Sequence, residues 1–194
     1  ELALGALAFR ALAVEPGVGG VAGLDRELGL RAHPQQPAAR DVRREAEEVL
    51  AVRAVPATLA QGGAGGVASF AIQLAKYIGA RVITTARAEN HPYLRKLGAD
   101  HIIDYNAQDF TKVVSNCDAV FDTVGGDVTQ RSFAVLRPGG RAASIAAGQA
   151  APVSPRADVT SLRPKVGRDR PHLERTSALA LSGAVRPPEM TIYK

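Results

Sequence analysis

The stretch Gly62-Gly63-Ala64-Gly65-Gly66-Val67-Ala68-Ser69-Phe70 constrains this chain more than any other, because glycines run directly into a helical pattern. It contains G-x-G-x-x-A, from Gly63 through Gly65 to Ala68, the dinucleotide fingerprint in the form that closes on alanine. Each small residue has a physical reason. Gly63 lets the chain turn sharply, Gly65 lets a bare backbone approach a pyrophosphate, and Ala68 lets a helix pack closely on its strand. The N–H groups that follow, Gly66 and Val67 first, point at phosphate with the positive end of the helix dipole behind them. Taken alone the run equally describes a flexible glycine-rich loop, so the flanking pattern decides.

That pattern is regular. Val67, Phe70, Ala71, Leu74, Ala75 and Ile78 recur at helical spacing, and Gly79 supplies the stop. Strands are expected at 81–85, 101–105, 118–122 and 141–146, and helices at 92–97, 109–115 and 128–136, with Gly98 closing the first of these helices. Turns are expected at Gly125-Gly126 and Pro138-Gly139-Gly140. Such alternation implies an α/β fold, a doubly wound parallel sheet of Rossmann type, over residues 55–150. Its first strand must lie within 55–61 and reads poorly, since Pro56 cannot donate to a ladder in what would be the central strand. A first strand so damaged would leave the fold unstable.

The flanks read differently. Residues 1–54 lack Ser, Thr, Asn, Ile, Lys and Tyr altogether and are assigned no domain, although helices are plausible at 2–14 and from Asp41 through Leu50. Their lopsided composition suits a shifted reading frame of GC-rich DNA or a mis-joined gene, a hypothesis that peptides spanning 40–70 as printed would sink. Residues 151–194 read as an extended basic arm, then a helix from Asp169 to Leu181 stopped by Gly183, then a strand at 190–193.

Composition narrows the function classes. The net charge of +5 is not gathered into basic clusters interleaved with aromatics, which argues against a nucleic-acid partner. Apolar runs fall short of the roughly 18–20 residues that span a bilayer, so no membrane partner is expected. Cys117 is the single cysteine, so the chain forms no internal disulfide and no cysteine-based zinc site; no metal is expected, and a reducing cytoplasm is. His33 has no neighbouring metal-type ligand in sequence.

The cofactor can be read from the second strand's end. About 20 residues past a glycine loop, an acid would grip an adenosine ribose 2′-hydroxyl. Here the sequence is Thr84-Thr85-Ala86-Arg87. A guanidinium pairs with a 2′-phosphate where a carboxylate would repel it, so the local chemistry favours NADP(H), with Glu89 complicating the field.

Residues 62–132 resemble the cofactor domain of the medium-chain dehydrogenase/reductases, in the zinc-independent quinone oxidoreductase or zeta-crystallin branch. The resemblance rests on Gly-Gly-Ala-Gly-Gly-Val-Ala-Ser at 62–69, Leu-Gly-Ala-Asp at 97–100, Ile-Asp-Tyr at 103–105 and Asp-Thr-Val-Gly-Gly at 122–126, and Leu-Arg-Pro-Gly-Gly-Arg at 136–141 extends it. It implies pyrophosphate contacts at Gly65, Gly66 and Val67, and 2′-phosphate contacts at Arg87, Asn90 and Tyr105. It also implies that Thr123, Val124, Ser144 and Ala146 lie on the nicotinamide side. The implied reaction is NADPH-dependent hydride transfer to a quinone or an α,β-unsaturated carbonyl, in a chain that can form homodimers. Members carry a mostly β catalytic domain where residues 1–54 stand, and continue past Tyr193, so the C-terminus is expected to be truncated. The polarising groups would belong to that other domain, and no catalytic residue is named. Asp104 and Asp122 fit structural or cofactor contacts better than an acid/base pair. Two other readings are a non-catalytic NADP(H)-binding module and an enoyl reductase domain of a polyketide synthase.

Overall fold

The computed structural model describes residues 56–146, 148, 150–164 and 169–187. Six parallel strands form one sheet in the order β3-β2-β1-β4-β5-β6. They are β1 (Ala57–Gln61), β2 (Arg81–Ala86), β3 (His101–Asp104), β4 (Cys117–Asp122), β5 (Leu136–Ser144) and β6 (Thr160–Leu162). The helices are α1 (Gly66–Tyr77), α2 (His91–Lys96), α3 (Phe110–Val113), α4 (Asp127–Ser132) and α5 (Arg170–Leu181), with 3₁₀ turns at Ala88–Asn90 and Phe133–Val135. This is the doubly wound order. It reverses at β1, which pairs with β2 on one side and β4 on the other.

Alternation along the strands sorts the core into layers. Ala60 and Val82 pack with Ile72 and Ala75 of α1 and Leu94 of α2, whereas Leu59, Ile83, Ile103 and Val120 pack with Phe110, Phe133 and Val135. Burying a side chain of this size contributes about 1.5–3 kcal/mol. The sheet is thus fixed from both sides, and its carboxyl edge is left for the loops.

Pro56 does not damage the first strand. It stands just before β1, where only its carbonyl is needed, accepting from Arg81 N–H at 2.9 Å. Ala57 N–H, the next donor, is taken by Asp118 Oδ2 at 2.8 Å. The same device starts β2, where Val82 N–H donates to Asp100 Oδ2 at 2.7 Å. Burial pushes the Asp100 carboxyl up, but the Lys76 ammonium and this N–H outweigh it and hold it below the ordinary carboxylate range.

The expected turn at Pro138-Gly139-Gly140 proves to be part of β5. Cys117 pairs with Leu136 and Ala119 with Arg141, so β5 carries extra residues there as a bulge. Gly139 takes the left-handed φ of +74° that the bulge requires, and its N–H donates to Asp158 carbonyl at 2.7 Å. The strand therefore begins earlier than expected, and Leu136 belongs to it rather than to the preceding helix, which ends as a 3₁₀ turn at Val135.

After residue 150 the chain is extended as expected, but it also supplies β6, which pairs with Arg141, Ala142 and Ala143. The sequence pattern gave no sign of this strand. α5 matches its expected span, with Asp169 accepting from His172 N–H as N-cap and Gly183 at φ +74° closing it. Its Leu179, with Val185, packs on Phe70 and Leu74 of α1. Beyond it, the Gln73 amide on α1 exchanges hydrogen bonds of 3.1 and 2.8 Å with the Arg186 backbone. The helices expected at 2–14 and 41–50 and the strand at 190–193 lie outside the described residues. Among the described residues no helix is long and apolar enough to cross a membrane.

Candidate functional site

The carboxyl ends of β1 and β4 meet at the reversal of strand order, the place where sheets of this kind hold ligands. The loop leaving β1 is built tightly. Gly62 takes φ +72°, and its N–H donates to Thr85 Oγ1 at 3.2 Å. Gly63 N–H donates to the Thr85 carbonyl at 3.0 Å, and Gly65 N–H to the Gly62 carbonyl at 2.9 Å. The sharp turn thus belongs to Gly62, not to Gly63 as the fingerprint suggested. Gly63 is required for another reason: a Cβ there would stand 2.1 Å from Thr84 Oγ1.

Gly65 and Gly66 are exposed, and Ala68 is fully buried. Gly65 caps α1 in an extended conformation, and Ser69 N–H makes the bond to its carbonyl at 2.9 Å. The N–H groups of Gly66, Val67 and Ala68 therefore head the helix, where backbone donors have no partner within it. No acid lies in this first turn. The result is a ready-made anion seat.

Beside it, the ends of β2 and β3 bring three of the expected residues to one corner. Arg87 Nε donates to Tyr105 Oη at 2.9 Å, and Arg87 carbonyl accepts from Asn90 N–H at 3.0 Å. The Arg87 pKa is raised, chiefly by the Tyr105 hydrogen bond, so the guanidinium stays charged. Glu89 Oε1 stands 3.8 Å from Arg87 Nη1, both side chains largely in solvent. Tyr105 itself is 50% exposed.

The ends of β4 and β5 are arranged otherwise. Asp122, 1% exposed, accepts at Oδ1 from Val124 N–H at 2.9 Å and Gly125 N–H at 3.1 Å, and at Oδ2 from Ser144 Oγ at 3.2 Å and Thr129 Oγ1. Each of its oxygens is thereby committed to holding the turn, which suits a structural brace rather than an acid or base. Ser144 is buried, its hydroxyl on Asp122 and its carbonyl accepting from Arg163 Nη1 at 3.0 Å. Thr123 Oγ1 donates to Gln61 carbonyl at 2.9 Å. Val124 and Ala146 are the exposed members of this group.

Beneath both halves lies a group that sequence reasoning missed: Gln61, Thr85, Ser132 and Thr129. Gln61 is 1% exposed, accepts from Thr85 Oγ1 at 2.7 Å, and donates through Nε2 to Ser132 Oγ at 3.2 Å. A run of polar residues at the carboxyl ends of parallel strands was the available signal. Cys117 is buried well away from this chemistry at the start of β4, and burial, then Asp118, pushes its thiol up to about 12. Among the described residues no group of three or more His, Cys, Asp or Glu is placed to hold a metal ion.

Comparison with known proteins gives a consistent picture. The family model described as zinc-binding dehydrogenase matches residues 66–168. A 2-haloacrylate reductase from Burkholderia sp is 38% identical over 104 residues, 49% of this chain and 31% of that protein. The chloroplastic NADPH-dependent alkenal/one oxidoreductase of Arabidopsis thaliana is 34% identical over 131 residues, 66% of this chain and 31% of that one. The Escherichia coli quinone oxidoreductase complexed with NADPH superposes with a TM-score of 0.56 at 26% identity, over 71% of this chain and 50% of that chain. The chain thus spans about a third of the length of these curated relatives.

Proposed function

The chain belongs to the zinc-binding dehydrogenase family, among the quinone oxidoreductases of the medium-chain dehydrogenase/reductase superfamily, and on that premise we propose that it holds NADPH at the carboxyl edge of its sheet, for hydride transfer to a quinone or an α,β-unsaturated carbonyl. One observation carries the reading. An acid-free helix N-terminus at the strand reversal stands beside an arginine tied to a tyrosine at the ends of β2 and β3.

The residues fit the cofactor by charge and by shape. The N–H groups of Gly66 and Val67 would receive the pyrophosphate, with bare Gly65 giving it room. Arg87 would pair with the 2′-phosphate, with Tyr105 setting the plane of its guanidinium and Asn90 beside it. Thr123, Val124 and Ala146 would flank the nicotinamide, Val124 and Ala146 through apolar surface, and Ser144 through the carbonyl-bearing backbone of β5. When bound, the dihydronicotinamide supplies the hydride. The chain's own contribution is to fix the cofactor's two ends and shield one side of the ring from water.

The relatives' names support the acceptor class: one is an alkenal/one oxidoreductase, another a haloacrylate reductase, another a quinone oxidoreductase. The compounds in those names share a conjugated double bond. A fluorescence titration with NADPH and NADH, followed by turnover assays with quinones and enones, tests both levels. Tight NADPH and weak NADH binding is expected. Binding of neither would sink the cofactor assignment, and NADPH binding without oxidation by any such acceptor would reduce the chain to a holding module.

A further inference from the structure

A directed line of hydrogen bonds runs from the glycine loop through the sheet to α4. Gly62 N–H donates to Thr85 Oγ1 at 3.2 Å, Thr85 Oγ1 donates to Gln61 Oε1 at 2.7 Å, Gln61 Nε2 donates to Ser132 Oγ at 3.2 Å, and Ser132 Oγ donates to Val128 carbonyl at 2.7 Å. Every hydroxyl proton is used once, and every bond points the same way. Turning the Gln61 amide over would set its NH₂ against Thr85 and its oxygen against Ser132, whose proton is already given to Val128. The amide therefore has one orientation. Gln61 also accepts from Thr123 Oγ1 at 2.9 Å through its own carbonyl. The end of the central strand is thus linked by the Gln61 side chain, through Thr85, to the turn that starts α1, and by the residue's backbone carbonyl to the loop after β4.

A satisfied buried glutamine is an ordinary core feature, but this one spends its side-chain bonds on Thr85, which holds the Gly62 N–H, and on Ser132 of α4. Gly62 is left-handed, and Thr85 holds its N–H on one side while Gly63 N–H is held by the Thr85 carbonyl at 3.0 Å. The direction in which Gly66, Val67 and Ala68 present their N–H groups is set by this turn. Low-dielectric surroundings strengthen such a line when it is complete and make it costly when one member is lost.

We infer that the Gln61 side chain is a positioning group for cofactor binding, which acts through Thr85 to aim the helix N-terminus at the pyrophosphate and through Ser132 to tie that turn to α4, the helix that follows the opposite loop. The inference rests on the cofactor reading above. It extends that reading by assigning the site's precision to a buried amide that touches no ligand, in keeping with the need to lock binding groups from behind.

The test uses the full chain and NADPH as probe, with Kd measured well below each variant's unfolding temperature. Gln61→Leu removes the amide, Thr85→Val removes the hydroxyl at nearly constant volume, and Thr85→Ser keeps it. Each of the first two variants loses two buried hydrogen bonds, and NADPH binding is expected to weaken about 10-fold in Thr85→Val, which also strips the acceptor from Gly62 N–H, and about 5-fold in Gln61→Leu, with Thr85→Ser within about twofold of the parent. A merely structural role predicts lower melting temperatures with unchanged Kd in the folded protein, and that result overturns the inference. Should Gln61→Leu fail to fold, the Thr85 pair and Ser132→Ala carry the test. Amide hydrogen exchange gives a reading independent of cofactor: Gly62 and Gly63 are expected to exchange about 10-fold faster in Thr85→Val while Ile72 and Leu74 are unmoved. If the parent chain binds no NADPH, the functional reading fails, and unchanged Gly62 exchange in Thr85→Val then overturns the positioning inference as well.

Discussion

Arg87, at the end of β2, has a side chain 62% exposed and Tyr105, after β3, is 50% exposed, whereas Asp122 and Ser144, at the ends of β4 and β5, are 1% and 2% exposed. Both pairs are polar and both sit on the carboxyl edge of one sheet. At the β2–β3 end the side chains bond to each other and remain open to a ligand. At the β4–β5 end they are turned inward, and what faces out is backbone with Val124 and Ala146. An exposed charged corner can choose between cofactors that differ by a phosphate. A braced and mostly apolar corner can only fix where a ring lies.

The largest effect expected to test this contrast comes from the braced end. Asp122→Ala would leave the Val124 and Gly125 N–H groups and the Thr129 and Ser144 hydroxyls without their acceptor. A loss of about 3 kcal/mol in urea unfolding is expected. A loss under about 1 kcal/mol would mean that the turn stands without its carboxylate and would break the comparison.

Arg87→Ala should do the opposite: the melting temperature is expected to hold while NADPH affinity falls about 30-fold and NADH affinity stays within about twofold. Equal losses for both cofactors would place Arg87 on a part they share, such as the pyrophosphate. Paired titrations of the one variant decide it.

The contrast also explains what was legible. The glycine loop, α1, the stop at Gly79 and the last helix with its stop at Gly183 are local signals, each carried by residue type at fixed spacing, and the structure shows them in place. Pro56 misled because its harmlessness depends on Asp118, 61 positions after Ala57, taking the first N–H of β1. The β5 bulge depends on the distant Asp158 carbonyl, and β6 is a three-residue strand registered on its neighbour β5. The Gln61 line crosses β1, β2 and α4, and its members are ordinary in type. Exposed residues at strand ends can be found by position along the sequence. Buried supporting ones are defined by partners that only the fold supplies.

Tyr105→Phe sharpens the comparison further. The ring stays and only the hydroxyl that accepts from Arg87 Nε is lost. NADPH affinity is expected to fall about threefold with NADH unaffected, since an oriented arginine becomes a mobile one. A fall as large as that of Arg87→Ala would make Tyr105 a direct phosphate ligand in its own right.

The smallest effect should come from Glu89, and its sign is the useful part. Its carboxylate stands 3.8 Å from Arg87 Nη1, in solvent, so it shares the guanidinium that a 2′-phosphate would need. An exposed pair of this kind interacts weakly and is screened by salt. Glu89→Gln keeps the size and removes the charge. NADPH affinity is expected to rise about twofold to threefold at low salt and to converge on the parent's at about 0.5 M salt, where screening leaves little of the repulsion. NADH carries no 2′-phosphate and should not respond in that direction; if Glu89 instead holds the ribose hydroxyls, NADH binding will weaken in the same variant. A gain for NADPH alone makes the exposed corner a charge filter, with Glu89 as the residue that limits its selectivity. A loss for NADH alone makes the corner read both cofactors, one by its arginine and the other by its acid. No response from either cofactor would leave Arg87 as the one charge there that matters.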